Sequence, residues 1–216
     1  MLPPLTDLIA LLGIDLVLCA GCLRGLNGRS GVTRVSGPAK WITAMVFVVL
    51  WFPLGADHLP ILAYVRGISS DLSVTLVALA ALDLSRRFFG LRAVGQQEWR
   101  TLSGVVACAA LVLYPLALGW GDWDAYRAGW GTPGMWLALL TIALFCWAKG
   151  LRLLPVLVAL ALLAWSAGLL ESTNLWDYLM DPWLATAALF QCIRWGVVQW
   201  LARSKRPASG PVPSSP

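Results

Sequence analysis

Histidine is almost missing from this chain, with His58 the only one in 216 residues. One imidazole excludes bis-histidine haem and any metal site that needs two histidine ligands. Lysine is nearly as scarce: Lys40, Lys149 and Lys205 all fall in stretches that read as loops. A seven-helix retinal protein needs a buried lysine for its Schiff base, so that class is excluded too. No Walker loop, HExxH or Gly-x-Ser-x-Gly appears, which removes the chemistries those signatures carry. Charge is also in short supply. Charged residues are 12% of the chain and hydrophobic residues 59%, with mean hydropathy +0.73. A soluble domain carries about a quarter charged residues. Lipid, not water, is the expected solvent for most of this sequence.

The charges that are present are sorted along the chain. One set of gaps between apolar runs holds Arg24, Arg29, Arg34 and Lys40, then Arg86, Arg87, Arg92 and Arg100, then Lys149 and Arg152, then Arg203, Lys205 and Arg206. The gaps between them hold Asp57 and Asp71, then Asp122 and Asp124, then Glu171, Asp177 and Asp181, with Arg66 and Arg127 as their only basic residues. Lys and Arg collect in the loops that stay cytoplasmic, so the alternation counts membrane crossings. The net charge of +5 sits in these short loops. It therefore points to orientation and anionic headgroups, not to nucleic acid.

An apolar helix of about 20 residues crosses a bilayer, and about 17 suffice. The pattern predicts an all-α, polytopic membrane bundle over 1–203, with spans near 5–23, 41–56, 71–85, 102–120, 135–148, 153–170 and 183–201. Seven crossings place the N-terminus outside and the C-terminus in the cytoplasm. The stretch 59–70 is apolar at first, but Pro60 and Gly67 punctuate it, so it reads as an interfacial or re-entrant piece. Asp71 or a preceding Ser is expected to cap the third span. The Pro/Ser-rich tail 204–216 reads as a disordered cytoplasmic segment. Most of the thirteen tryptophans fall near predicted span ends, among them Trp41, Trp120, Trp136, Trp147, Trp183 and Trp200. An interfacial belt accounts for them with no function attached.

Five cysteines lie in apolar runs or at their edges and none in a predicted outer loop, so no disulfide framework is indicated. Cys19-x-x-Cys22 has the spacing of a redox pair, yet it falls at the inner end of the first span. Two small inert thiols are the plainer reading. Asp15 lies near mid-membrane, where an ionisable group costs roughly 2.5–3.5 kcal/mol on insertion scales. It should face the bundle and find a partner, and Arg194 on the last span is a candidate. It is either a buried polar pin or the coupling group of a small transporter. Asp83 is expected to pair with the arginines one turn on.

The predicted outer face carries the densest set of polar residues: Asp57, His58, Arg66, Asp71, Asp122, Asp124, Arg127, Glu171, Asp177 and Asp181, interleaved with Trp and Tyr. Aromatic faces stack on sugars and headgroups while carboxylates accept their hydrogen bonds. Such a face suits lipid or glycan contact, and the plain alternative is a solvated acidic surface. Asp122-x-Asp124 resembles the short acidic pair with which lipid-linked sugar transferases hold a metal. Ser69 or Ser70 with His58 and an acid could form a hydrolytic set on paper. Arg66 and Arg127 are both expected inside the carboxylate cluster. These features favour a non-catalytic subunit or accessory protein of cell-envelope lipid or glycan machinery in a bacterial inner membrane. Membrane lipids and another envelope membrane protein are the expected partners, with no cofactor and no metal. A small membrane-embedded enzyme acting on a lipid-linked headgroup is the alternative.

Overall fold

The computed structural model describes residues 4–27, 35–55 and 58–204. Arg29, Arg34 and Asp57 lie outside the described residues, as does the tail beyond Ser204. The order is α1 (Leu5–Asn27), α2 (Gly37–Leu50), a hairpin of β1 (Pro53–Leu54) and β2 (Leu59–Pro60), α3 (Ile61–Ser69) and α4 (Val74–Phe89). Then come α5 (Gln96–Ala117), a 3₁₀ turn (Ala125–Trp130), α6 (Pro133–Ala148), α7 (Leu153–Ser166), α8 (Leu175–Leu179) and α9 (Pro182–Ser204). The chain is all-α, and strand among the described residues is confined to the two-residue pairing Pro53 with Pro60 and Leu54 with Leu59. Seven of the helices run from 14 to 23 residues, one at each expected span. Two of them, α1 and α5, are long and apolar enough to cross a membrane by length and composition.

Local chemistry sets where these helices start and stop. Proline opens α6 and α9 and sits in the first turn of α2, where its missing N–H removes no helical bond. Ser73, not Asp71, caps α4: its hydroxyl accepts from Leu76 N at 3.2 Å. Asp71 is drawn away because it pairs with Arg66. Gly90 ends α4 with φ +69, the left-handed conformation that favours glycine. The boundaries of α2 differ from expectation, beginning at Gly37 and ending at Leu50, because the hairpin starting at Pro53 takes up the last expected residues. Helix α5 starts six residues early, at Gln96. Its first turn carries Glu98, whose carboxylate accepts from Leu153 N at 2.6 Å and Arg152 N at 3.3 Å. That acid caps a different helix, α7, and ties the α6–α7 turn to the start of α5. The stretch 59–70 makes no long helix. It becomes β2 and the nine-residue α3.

Helix α1 packs against α2, α3 and α4, while α9 packs along α5, and α7 bridges α4, α5 and α6. The α5–α9 seam is built on Ala107, Ala110, Ala185 and Ala188, all buried. Small residues let two backbones approach closely. The outer walls are apolar as well: Met45 and Val48 on α2, Leu137 and Phe145 on α6, and Phe190 and Ile193 on α9 are each exposed. Soluble monomers rarely show apolar surface on this scale.

Charge is segregated to the two ends of the bundle. At one end Arg24 Nε and Arg87 Nε meet Asp83 Oδ2 at 2.8 and 3.1 Å, and Lys40 Nζ donates to Phe88 O at 2.7 Å. The expected pairing of Asp83 one turn on is therefore present, with Arg24 of α1 joining it. Carboxylates gather at the opposite end.

Candidate functional site

Arg66 organises the acidic end. It sits in the last turn of α3, the short helix that lies across the starts of α1 and α4. Its Nη1 meets Asp7 Oδ1 at 2.7 Å, its Nε meets Asp71 Oδ1 at 2.7 Å and its Nη2 meets Glu171 Oε1 at 3.0 Å. One planar guanidinium thus joins α1, the α3–α4 turn and the segment after α7, using donors fixed in a fork. Asp71, Asp7 and Glu171 hold Arg66 further toward its charged form than usual, against the opposing effect of burial.

Arg66 lines a cleft of about 760 Å³, together with Asp71, Tyr114, Glu171, Asp177 and Asp181. Its far wall is the α8 turn docked on the 3₁₀ turn. Asn174, buried, accepts from Trp176 N at 2.9 Å as the cap of α8 and donates Nδ2 to Tyr126 O at 2.9 Å. Trp176 Nε1 donates to Ala125 O at 3.1 Å. The two turns can approach this closely because residue 129 is glycine. A Cβ there would run into Asn174 Oδ1 and come within 2.7 Å of Trp176 Cδ1. Tyr126 donates its hydroxyl to Asp177 Oδ2 at 2.7 Å, and Ser172 Oγ donates to the same oxygen. Burial, and then the Asp177 carboxylate, push the Tyr126 phenol up to about 12. Behind this wall the buried Tyr178 hydroxyl accepts from Leu170 N at 3.1 Å.

The carboxylates of the cleft differ in what they have left to offer. Asp181 spends both oxygens on backbone, accepting from Ser73 N and Leu184 N at 2.8 Å each. It fastens the starts of α4 and α9 together and is a structural pin. Asp71 and Glu171 each give one oxygen to Arg66, and Asp177 takes Tyr126 and Ser172 on one oxygen. The second oxygen of each has no partner among the described residues. Trp176, Tyr114 and the serines at 69, 70 and 172 share the cleft. Acceptors, hydroxyls and aromatic faces in one concave space suit a hydroxyl-rich or amine-bearing ligand.

Five of the ten residues expected at the outer face line this cleft: Arg66, Asp71, Glu171, Asp177 and Asp181. Asp122 and Asp124 are exposed outside it, and Asp124 Oδ1 accepts from Tyr126 N at 2.9 Å as the cap of the 3₁₀ turn. Arg127 departs from expectation. It is exposed and has no carboxylate within salt-bridge distance among the described residues, because the 3₁₀ turn directs Tyr126 toward Asp177 in its place. His58 is exposed beside the hairpin with φ +50. Ser69 Oγ donates to Val65 O at 3.0 Å. The paper Ser–His–Asp set is not brought together. Asp57 lies outside the described residues.

Asp15 is fully buried, but Arg194 is not its partner. Trp51 Nε1 donates to Asp15 Oδ2 at 2.7 Å and Cys19 Sγ to Oδ1 at 3.4 Å, while Arg194 is exposed on α9. Helix α9 packs along α5 and α1 packs on α2 and α4, which sets the two residues on different helix groups. Cys19 is buried and Cys22 half-buried, both as free thiols. Among the described residues no three His, Cys, Asp or Glu side chains are grouped to hold a metal ion.

Asp7, Tyr126, Ser172, Asn174 and Trp176 belong to the site but are not among the ten residues expected at the outer face, although Tyr126, Ser172, Asn174 and Trp176 lie in the same expected outer segments. Asn174 carried a readable signal as a capping residue before a short helix. Asp7 is an acid in the first turn of α1, and nothing in the local sequence links it to a residue 59 positions away. Compared with protein-family models, with curated proteins and with solved structures, the chain finds no match in any of the three.

Proposed function

We propose that this chain is a non-catalytic, multi-pass subunit or accessory protein of a bacterial inner membrane, serving cell-envelope lipid or glycan machinery. In this reading α1, α2, α4, α5, α6, α7 and α9 are seven crossings, the acidic end faces outward, and the basic end and tail face the cytoplasm. Segregated charge and apolar outer walls support the embedding. Helices α2 and α7 have 14 residues each, about 21 Å at 1.5 Å per residue. That is short of a hydrocarbon core of about 30 Å, a mismatch that local thinning and flanking aromatic residues absorb at a fraction of a kcal/mol per Å.

The observation that carries the contact role is the Arg66 cleft. Among the described residues its only guanidinium, Arg66, is already neutralised by three carboxylates, so the cleft presents spare acceptors and aromatic faces, suited to the hydroxyls and amines of a glycan or phospholipid headgroup. A peptide loop of a partner membrane protein could present the same groups.

Titration of the purified protein in detergent with glycerophosphoethanolamine or a short amino-sugar glycan tests this reading, with Trp176 emission compared against Trp176→Phe. A saturable change that Asp71→Asn abolishes is the expected result. Chemical conversion of either probe would favour the alternative, a membrane-embedded enzyme acting on a lipid-linked headgroup. Absence of saturable binding by the wild-type protein would leave the cleft without a headgroup role.

A further inference from the structure

A second cavity lies at the other end of the bundle. Helices α2 and α4 both rest on α1 and leave a groove of about 390 Å³ between them. Its floor is Cys19 and Thr43, and its walls include Phe47, Val48, Leu84 and Phe88. The groove follows α2 from Thr43 to Val48, about 8 Å at 1.5 Å per residue, a run that a stretch of acyl chain would fill. Wall residues Phe47, Val48 and Phe89 are exposed, so the groove opens sideways off the bundle.

Its mouth is cationic. Lys40 Nζ bridges the two helices, donating to Phe88 O at 2.7 Å and lying 5.7 Å from the centre of the Phe88 ring. An ammonium has three donors, and Lys40 has no carboxylate within salt-bridge distance among the described residues. Arg24 and Arg87, the residue before Phe88, share the single carboxylate of Asp83 at the same end. An apolar slot capped by uncompensated positive charge calls for an amphiphile with an anionic head and a hydrocarbon tail.

The geometry points to a binding site for one anionic phospholipid of the inner leaflet, its phosphate on Lys40 and one acyl chain between α2 and α4. The site rests on the proposed membrane embedding but not on the outer cleft or its ligand. Phospholipid would fill the space between α2 and α4, which are also joined at this end by the Lys40–Phe88 bridge and by Ala39 packed with Leu84 and Phe88.

Native mass spectrometry of protein released from vesicles of equimolar phosphatidylglycerol and phosphatidylethanolamine reads the site directly. The wild-type protein should retain one phosphatidylglycerol in preference to phosphatidylethanolamine. Lys40→Ala should lower that preference about fivefold, the contribution of one basic side chain at an anionic surface, whereas Lys40→Arg should keep most of it. Val48→Trp, a change at an exposed position that fills the groove without touching the charge, should abolish retention of the tightly bound lipid. Arg203→Ala, at the end of α9, should change nothing. Equal retention of the two lipids by the wild-type protein would overturn the site, as would a Lys40→Ala protein indistinguishable from Arg203→Ala. A shift in oligomeric state with Val48→Trp would overturn it too, by assigning the groove to a second copy of the chain. If alkaline carbonate strips the protein from membranes, the embedding itself fails, an outcome separate from loss of lipid preference in an integral protein.

Discussion

Arg66 and Asp7 stand 59 positions apart, and their side chains meet at 2.7 Å. That contact, with Asp71 and Glu171 on the same guanidinium, locks the start of α1 to α3 and to the segment after α7. Arg66 is only 20% exposed at its side chain, and Asp7 and Asp71 are 27% and 19% exposed. Removing the cation would leave two half-buried carboxylates facing each other. Arg66→Ala should therefore cost on the order of 2–3 kcal/mol, read as lowered thermal stability in detergent. Arg66→Lys should recover part of this, since an ammonium cannot reproduce the fork. Arg127→Ala should fall within about 0.5 kcal/mol of wild type, because its side chain is exposed and holds no ion pair. Equal losses at Arg66 and Arg127 would remove Arg66 from its organising role.

The phenol of Tyr126 is pushed up to about 12 by burial and by the Asp177 carboxylate. A group whose folded value lies above its unfolded value near 10 favours its protonated form in the fold. Its contribution is complete below pH 10 and lost as pH rises from there through about 12. Thermal stability should decline across that window, and Tyr126→Phe should remove this component while lowering stability at neutral pH. If the variant shows the same alkaline decline, the Tyr126–Asp177 bond is not its source.

Gly129 offers a test of the cleft wall that involves no charge. A Cβ at this position would collide with Asn174 Oδ1 and approach Asn174 Cγ to 2.7 Å. Asn174 caps α8 and holds Tyr126 O, so displacing it loosens both turns at once. Gly129→Ala should cost about 1–3 kcal/mol, the usual range for overpacking. Protease susceptibility should rise between residues 120 and 135. A neutral Gly129→Ala would mean that the two turns do not need to lie this close.

Much of this architecture could be read from the chain, for reasons that differ from element to element. Long uncharged runs locate the seven long helices, because few charges can be accommodated inside them. The alternation of Arg and Lys with Asp and Glu correctly groups Arg24 with Arg87, and Arg66 with Asp71 and Glu171. Pairing within each end was harder to foresee. Charge alone pairs Asp15 with Arg194, but α1 packs on α2, which brings the Trp51 indole N–H to it. Arg127 is expected in the cluster because it is one of the two basic residues in the acidic gaps. A 3₁₀ turn, invisible to periodicity, sends Tyr126 there in its place. Long-range acids leave no mark at the helix they serve: Glu98 caps α7 from the first turn of α5, and Asp181 holds Ser73 N, the cap residue of α4, from the start of α9.

The buried Asp15 gives a prediction at the centre of α1. Trp51 Nε1 at 2.7 Å is the stronger of its two donors, and Cys19 Sγ at 3.4 Å the weaker. Trp51→Phe leaves the acid a single thiol donor and should destabilise by about 1–3 kcal/mol. Asp15→Asn keeps an acceptor for the indole and should be milder than Asp15→Leu, which strands it. Replacing Cys19 and Cys22 together by Ala should leave membrane insertion intact and cost about 1 kcal/mol at Cys19. A cellular defect from either single cysteine change at normal protein level would revive a redox role.

Helix α6 provides the sharpest check on the proposed topology. Its 16 residues cover about 24 Å, and exposed Leu137, Leu140, Leu144 and Phe145 leave much of its surface uncovered by protein. A tryptophan marks each end. Trp136 packs edge-on against Trp165, with ring centres 5.6 Å apart, and Trp147 lies under the Arg152 guanidinium at 5.9 Å. Indoles favour the headgroup region and cations the cytoplasmic side, so the helix is bracketed as a crossing helix should be. Reporter fusions at Asp124 and at Arg152 flank it. The first should read external and the second cytoplasmic, with Arg100 also cytoplasmic and Asp177 external. Matching readings at Asp124 and Arg152 would place α6 along the membrane surface. The crossing count would then fall below seven, and the N-terminus and tail could no longer lie on opposite sides by the same alternation.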